Sequence, residues 1–168
     1  IGALNGARLV AVHDADLERA QAFAGKRRVP AAESLSALLS RSDVDIVTIA
    51  TPSGTHRDVA VAVAKAGKHV ICEKPLETTV EKAAEIVAAC ERAGVLLSSV
   101  FQARFGDTVA AVTDALAAGR FGQIVLASAQ VRWYRSREYY ASSGWRGTWK
   151  LDGGGALMNQ SIHMVDLL

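Results

Sequence analysis

The sequence predicts an α/β protein built on a doubly wound parallel sheet whose first strand is missing, followed by the start of an α+β domain with a mostly antiparallel sheet. Three observations lead to this prediction. Short apolar runs alternate with helical segments through about the first hundred residues. Polar residues directly follow the predicted strands. After Arg104 the alternation gives way to a longer β-branched and aromatic run.

The first part of the chain contains four predicted strands, at residues 8–14, 44–50, 69–73 and 95–101. The helices predicted between them cover residues 16–24, 35–39, 56–66 and 80–93. Gly25, Gly67 and Gly94 are expected to end three of these helices, and Ser34 to cap one. Strands that alternate with helices in this way form right-handed crossovers and a parallel sheet.

The second part is predicted to hold a helix at 108–118, a strand at 123–133, an aromatic and basic segment at 134–149, and a helix at 156–168. We therefore expect one domain at residues 1–103 and the start of another at 104–168. Residues 1–4 resemble the end of a helix, and residues 164–168 show no helix stop signal. The expectation is an internal piece of a longer protein.

Composition narrows the function classes. The 168 residues are 50% hydrophobic and 21% charged, as in a globular protein, and the net charge of +2 does not predict a nucleic-acid or membrane partner. Cys72 and Cys90 lack metal-ligand spacing and sit in apolar runs, which predicts buried free thiols, no metal and a cytoplasmic location. No apolar run reaches the length of a membrane span.

Glu73, Lys74 and Pro75 mark the abrupt end of the third predicted strand. Ligands of open α/β sheets bind outside the carboxyl ends of the strands, so Glu73 and Lys74 are candidate site residues. A surface ion pair at a strand end explains the same two residues equally well. Asp14 also ends a predicted strand, where an acid can accept the ribose hydroxyls of a dinucleotide, although a turn aspartate is the alternative.

The helix at 156–168 follows the triplet Gly153, Gly154, Gly155. The triplet indicates either a backbone grip on phosphate or a tight turn before the helix, and the turn is favoured. Asn159 and His163 are four residues apart and therefore share a helix face. His163 is either a buried structural histidine or a group that takes a proton from a substrate hydroxyl.

Taken together, these motifs resemble the glucose–fructose oxidoreductase, inositol dehydrogenase and MocA family. The resemblance rests on the segment Thr51-Pro52-Ser53-Gly54-Thr55-His56, the triplet Glu73-Lys74-Pro75, and the glycine triplet followed by Asn159 and His163. It implies a Rossmann domain that binds NAD, or NADP, and hydride transfer to or from a hydroxyl of a sugar, polyol or nucleotide-sugar. It also implies dimers or tetramers of the full-length protein.

The resemblance assigns roles to individual residues. Lys74, His163 and Asn159 correspond to the catalytic positions. The positions that correspond to cofactor contacts are Asp14, Thr51, Pro52, His56, Glu73, Lys74, Gln102, Trp145 and Arg146.

Two features depart from the family pattern. Many members carry an aspartate at the position of Asn159, and the first strand with its glycine loop is missing. The residues 156–163 are similar to members that act on nucleotide-linked amino sugars or uronates. Two alternatives stay open: a glycosidase of the same fold that uses NAD transiently, and a cofactor-binding scaffold whose site Asn159 has weakened.

Overall fold

A three-stranded parallel sheet forms the centre of the chain in the computed structural model, which describes residues 5–168. Its strands are β1 (Ile46–Ile49), β2 (His69–Cys72) and β3 (Leu97–Ser99), in the order β1-β2-β3. Val47 lies opposite Val70, and Val70 lies opposite Leu97. The parallel sheet with helical crossovers confirms the predicted fold class.

Within residues 5–168, seven α-helices surround and follow the sheet. They are α1 (Leu17–Arg27), α2 (Leu35–Leu39), α3 (His56–Lys65), α4 (Val80–Ala93), α5 (Asp107–Ala117), α6 (Arg137–Ala141) and α7 (Ile162–Leu167). The side chains of Asp16, Ser34 and Thr79 each accept a backbone N–H bond at a helix start, as capping residues do. Gly94 ends α4 in the left-handed conformation, as predicted.

The apolar core lies between the sheet and the helices of the first part of the chain. Helices α3 and α4 pack against each other, and α3 also packs on β1 and β2. Val63, Val70 and Ile86 are almost completely buried at this junction. Their β-branched shapes suit a close-packed interior, and the packing holds the carboxyl ends of β1 and β2 side by side.

The prediction of a regular strand at residues 8–14 is wrong. Val12 forms an isolated parallel bridge with Ala31, through bonds from Val12 N to Pro30 O (3.1 Å) and from Ala32 N to Val12 O (2.8 Å). A strand needs a neighbour along its length to satisfy its backbone groups, and within residues 5–168 the segment has no other ladder partner.

The strand predicted at 123–133 is also not formed among the described residues. Residues 123–130 are all exposed, with Val125 at 92% and Leu126 at 86% of their full accessible area. Local β-propensity cannot build a ladder without a partner strand. The antiparallel sheet therefore stays a prediction.

Smaller corrections concern helix ends. Helix α1 continues through Gly25, and its left-handed cap is Arg28, with a φ of 56°. The helix predicted at 156–168 contains a π-helical turn, Leu157–Ser161, before α7. The expected helix end at residues 1–4 lies outside the described residues.

Candidate active site

A cleft of about 450 Å³ opens at the carboxyl edge of the sheet. Residues that follow all three strands line it, together with residues from α6, the loop after it and the π-helical turn. The lining residues are Ala50, Thr51, Ser53, Glu73, Lys74, Gln102, Trp133, Arg135, Tyr139, Trp145, Arg146, Asn159, Gln160 and His163. This is where ligands bind to open α/β sheets.

Lys74 stands at the end of β2 and reaches across to the π-helical turn. Its Nζ donates to the backbone oxygen of Asn159 at 2.7 Å, and Asn159 Oδ1 lies 3.4 Å away. Burial lowers the pKa of Lys74, against the opposing influence of Glu73. The Glu73 carboxylate instead accepts the backbone N–H of Lys74 at 3.3 Å, so the two side chains do not form the surface ion pair considered above.

The π-helical turn explains why the Asn159 carbonyl is available to Lys74. Widening a helix by one residue per turn disturbs the regular i to i−4 bonding and frees backbone groups, and such turns often occur at functional sites. Asn159 and His163 both face the cleft, as their spacing predicted. The π-helical turn itself could not be read from the sequence.

His163 is 7% exposed and lies edge-on to Phe101, with ring centroids 6.2 Å apart. Burial lowers the pKa of His163, and the positive charge of Lys74 lowers it further, while Asp166 acts in the opposite direction. Asp166 forms a bidentate ion pair with Arg104, whose Nε donates to Asp166 Oδ2 at 2.8 Å and whose terminal nitrogen donates to Oδ1. The cleft therefore holds a histidine that favours its neutral form.

Asp152 is a site residue that sequence reasoning missed. It is 3% exposed; its Oδ2 accepts the Gly147 N–H at 2.7 Å, and its Oδ1 accepts the side-chain amide of Asn159. The only signal in the sequence was its place directly before the glycine triplet. Seven residues separate it from Asn159, so the fold alone brings the two together.

Aromatic and cationic side chains, among them Tyr139, Arg135 and Arg146, line the same cleft as Lys74. Two guanidinium groups lie near the Tyr139 ring, with Arg146 Cζ 4.6 Å and Arg135 Cζ 5.2 Å from its centroid. Gln160 Nε2 donates to the Tyr139 hydroxyl at 3.1 Å, and Gln160 Oε1 accepts from Arg135 at 2.8 Å. Of these residues, only Arg146 was among the predicted site residues; Tyr139 was recognised merely as part of an aromatic segment.

The predicted cofactor residues divide into two groups. Thr51, Glu73, Lys74, Gln102, Trp145 and Arg146 line the cleft. Asp14, Pro52 and His56 do not line it. Asp14 Oδ1 accepts the Asp16 N–H at 2.9 Å.

His56 is buried at 1% exposure, and its ring nitrogens lie 3.0 Å from Pro75 O and 2.9 Å from Thr51 O. It thus ties together the segments that follow β1 and β2. A contact between His56 and a cofactor stays a prediction. In the structure, His56 holds the Thr51 backbone in place through its ring nitrogen.

The glycines at the base of the cleft are close-packing positions. A Cβ at Gly54 would collide with the backbone of Lys150, and Gly54 N donates to Leu151 O at 3.0 Å. Gly153 has a φ of 90°, and a Cβ there would press on Met158 and Thr78. This packing supports the tight-turn interpretation of the glycine triplet.

Residues 5–168 contain neither a cluster of metal-ligating side chains nor a helix that could cross a membrane. No three His, Cys, Asp or Glu side chains in this range are grouped so that they could hold a metal ion. No helix in the same range is both long enough and apolar enough to cross a membrane.

Residues 2–101 match the oxidoreductase family with an NAD-binding Rossmann fold, and residues 109–168 match the GFO/IDH/MocA C-terminal domain. The chain belongs to this family. Curated relatives include 1,5-anhydro-D-fructose reductase of Ensifer adhaerens, 34% identical over all of this chain and 50% of the relative. Inositol 2-dehydrogenase 2 of Saccharopolyspora erythraea is 37% identical over 74% of this chain and 37% of its own length.

Solved structures of this Gfo/Idh/MocA family superimpose closely on the chain. The WlbA dehydrogenase from Bordetella pertussis, in complex with NADH and UDP-GlcNAcA, has a TM-score of 0.90 at 42% identity, covering 95% of this chain and 46% of that structure. Levoglucosan dehydrogenase with NADH and levoglucosan has a TM-score of 0.79 at 25% identity, covering 94% and 43%. The chain spans about half the length of the relatives it matches.

Proposed function

We propose that this chain carries the nicotinamide site and the proton-transfer residues of an NAD(P)-dependent dehydrogenase that acts on a hydroxyl of a sugar, polyol or nucleotide-sugar. The observation that carries the proposal is the meeting of Lys74 and His163 in one cleft at the carboxyl edge of the sheet. The family membership and the sugar- and polyol-oxidising relatives support it.

The roles of the residues follow from their chemistry. His163 takes the proton of the substrate hydroxyl, because its buried ring favours the neutral, proton-accepting form. Lys74 stabilises the negative charge that develops on the hydroxyl oxygen. Asn159 holds the Lys74 ammonium at the cleft wall through its backbone oxygen. A bound nicotinamide would accept the hydride from the substrate carbon that bears this hydroxyl.

The residues present fit a dinucleotide at the sheet edge. Thr51, Glu73 and Gln102 follow three neighbouring parallel strands and offer hydroxyl, carboxylate and amide groups to the cleft. The buried Nδ1 of His163 and Nε of Arg135 have no hydrogen-bond partner within the described chain, as expected of polar atoms that await a ligand. Asp14 would accept the adenosine ribose hydroxyls, which favours NAD over NADP.

We further propose that the substrate carries a carboxylate or phosphate group. Arg135 and Arg146 add two guanidinium groups to a cleft in which Glu73 is the one acidic lining residue among those described. Planar guanidinium groups suit bidentate contact with such anions. The binding of UDP-GlcNAcA by the Bordetella pertussis WlbA dehydrogenase, and the similarity of residues 156–163 to enzymes of uronates, support this choice.

The test uses the full-length parent protein with NAD and NADP and a panel of neutral sugars, inositols, uronates and UDP-linked uronates. Calorimetry would measure cofactor binding, and the NADH absorbance band would measure oxidation. We expect NAD to bind and the anionic substrates to give the larger kcat/KM. Release of sugar from a glycoside without net NADH would instead indicate the glycosidase, and cofactor binding with neither reaction would indicate a scaffold.

The remaining proposals concern the whole protein. We place the domain boundary between residues 103 and 104, and we expect a cytoplasmic homodimer or homotetramer. Light scattering on the full-length parent would measure its oligomeric state, and a monomer would contradict this expectation.

A further inference from the structure

Asp152 is a buried carboxylate without an ion-pair partner. Within residues 5–168 no Lys, Arg or His nitrogen lies within 4.0 Å of its oxygens. Both oxygens accept hydrogen bonds, from the Gly147 N–H and from the Asn159 amide. A buried charge that is not paired costs free energy, so its presence beside the cleft calls for an explanation.

The hydrogen bond to Asp152 sets the orientation of the Asn159 side chain. A carboxylate can only accept, so Asn159 must turn its NH₂ group toward Asp152. Its Oδ1 is then directed to the other side, where Lys74 Nζ lies at 3.4 Å and Gln160 Nε2 donates at 3.2 Å. The carboxylate thus fixes the amide from one side, and the donors of Lys74 and Gln160 fix it from the other.

We propose that Asp152 is the positioning residue for Lys74: it orients the Asn159 amide and supplies, one hydrogen bond removed, the negative charge that faces the Lys74 ammonium. The proposal rests on the function proposed above in that Lys74 acts on the substrate. The resemblance implies an aspartate at position 159 in many members, and here that charge lies behind an asparagine instead of touching the lysine.

The charges around Lys74 are consistent with this arrangement. Glu73, Tyr139 and Asp152 act to raise the pKa of Lys74, whereas burial and Arg146 act to lower it. His163 faces the same ammonium, and its own pKa is lowered by it. Asp152 therefore acts to raise the pKa of Lys74, against the effect of burial.

The substitution Asp152→Asn tests the orientation. An asparagine at 152 has one oxygen and one NH₂ group, but both of its neighbours, Gly147 N–H and Asn159 NH₂, are donors. Either the Gly147 bond is lost, or the Asn159 amide flips and presents its NH₂ group to Lys74. We expect kcat to fall about 10- to 100-fold, as for other supporting residues behind a catalytic group, with a smaller change in KM for the cofactor.

The double variant Asp152→Asn/Asn159→Asp exchanges the two residues and is compared with the single variant Asp152→Asn. Its asparagine can accept from Gly147 N–H and donate to the new carboxylate, which in turn accepts from Lys74 and Gln160. Every bond of the network is restored, and the charge now touches the ammonium. We expect recovery of most of the lost kcat and a shift of the Lys74 pKa to higher values than in the unsubstituted protein.

The measurements are made on the full-length parent, with Asp43→Asn as the control for loss of an exposed carboxylate. They are kcat and KM across pH, and the pH dependence of Lys74 modification by an amine reagent, followed by peptide mass spectrometry. A lower Lys74 pKa in Asp152→Asn, with recovery in the exchange variant, would support the proposal. Unchanged kcat and titration in Asp152→Asn would overturn it, as would an exchange variant as impaired as the single one.

The lysine titration needs no turnover, so it separates the two hypotheses. If the unsubstituted protein oxidises no alcohol, the proposed function fails, while a shifted Lys74 titration in Asp152→Asn would still establish the coupling to Asp152.

Discussion

The part of the chain up to residue 101 and the part from residue 102 onward are each stabilised by different interactions. Among the described residues, the buried hydrophobic side chains all lie between Ala20 and Cys90, in the sheet and its helices. From residue 102 onward, the buried residues are Asp152, Gly153 and His163. This part meets the first through hydrogen bonds from Lys74 Nζ to Asn159 O and from Gly54 N to Leu151 O, and through the close approach of Gly153 to Thr78. The first part thus supplies a rigid platform, and the second supplies polar groups that are placed on it.

The difference shows that the cost of a substitution depends on the part in which it falls. In the sheet, a lost side chain leaves a cavity or an unpaired backbone group and lowers the free energy of unfolding. Around the cleft, a lost side chain removes a group aimed at the substrate and lowers the rate. Matched pairs of residues, one from each setting, test this contrast.

The largest effect is expected for the two buried histidines. His163→Asn should lower kcat by about 10² to 10⁴-fold, because it removes the group proposed to take the hydroxyl proton. His56→Asn should instead lower the free energy of unfolding, because the bonds to Thr51 and Pro75 backbone oxygens are lost. Steady-state kinetics and thermal unfolding of the full-length parent measure both; a slow but normally stable His56→Asn variant would contradict the contrast.

The pH profile of the unsubstituted protein sharpens the same comparison. Proton transfer requires neutral His163, so kcat/KM for oxidation should fall as pH drops through the pKa of this residue. Since burial and Lys74 lower that pKa, the fall should occur below the usual range of a histidine. If this fall in kcat/KM at low pH (the acid limb of the profile) occurs at or above that range, another group controls the reaction.

Two lysines form the second pair. Lys74→Ala should lower kcat about 10² to 10³-fold, as for loss of one group that stabilises a developing oxyanion. It should also move the acid limb to higher pH, because the positive charge that lowers the His163 pKa is removed.

Lys68 provides the control for Lys74, since its Nζ donates to the backbone oxygens of Arg41 (2.9 Å) and Val44 (2.7 Å), before the start of β1. Lys68→Ala should lower the free energy of unfolding by about 1–3 kcal/mol. Full turnover in Lys74→Ala would remove this residue from the proposed chemistry.

The third pair compares two aliphatic side chains. Ile86→Ala should lower the free energy of unfolding by about 2–5 kcal/mol, because Ile86 is completely buried between α4 and the sheet. Leu126→Ala in this chain should change it by less than about 0.5 kcal/mol, because Leu126 is 86% exposed. Denaturant unfolding measures both; a large loss in Leu126→Ala would show that the second part has a core of its own.

The smallest effect is expected where the two parts touch. Gly54→Ala forces a methyl group against the Lys150 backbone and should cost about 1–3 kcal/mol of unfolding free energy. The displaced turn carries Asp152, so kcat should fall several-fold more than in a Gly25→Ala control, where a Cβ meets nothing within 4 Å. Equal kinetics in the two variants would show that the turn adjusts freely.

The periodic parts of the fold were predictable because local physics defines them. The apolar runs, the capping residues and Gly94 predicted the three strands of the sheet and helix α4, whose bounds agree with the prediction. The segments 8–14 and 123–133 do not form regular strands for a shared reason. A strand is completed by hydrogen bonds to a neighbour along its length, and within residues 5–168 these two segments gain only the single bridge between Val12 and Ala31.

The same division holds for the cleft. The end of a strand predicted Lys74 as a site residue, and helix spacing together with the family resemblance predicted Asn159 and His163. The sequence alone therefore determined the fold class and predicted three residues that line one cleft, and their catalytic roles stay predictions. Only the tertiary structure decided that Asp152 accepts the Asn159 amide, that the helix widens into a π-helical turn, and that His56 is buried between the segments that follow β1 and β2. Those features depend on how packing and hydrogen bonds are distributed in the folded chain, and no short sequence pattern encodes them.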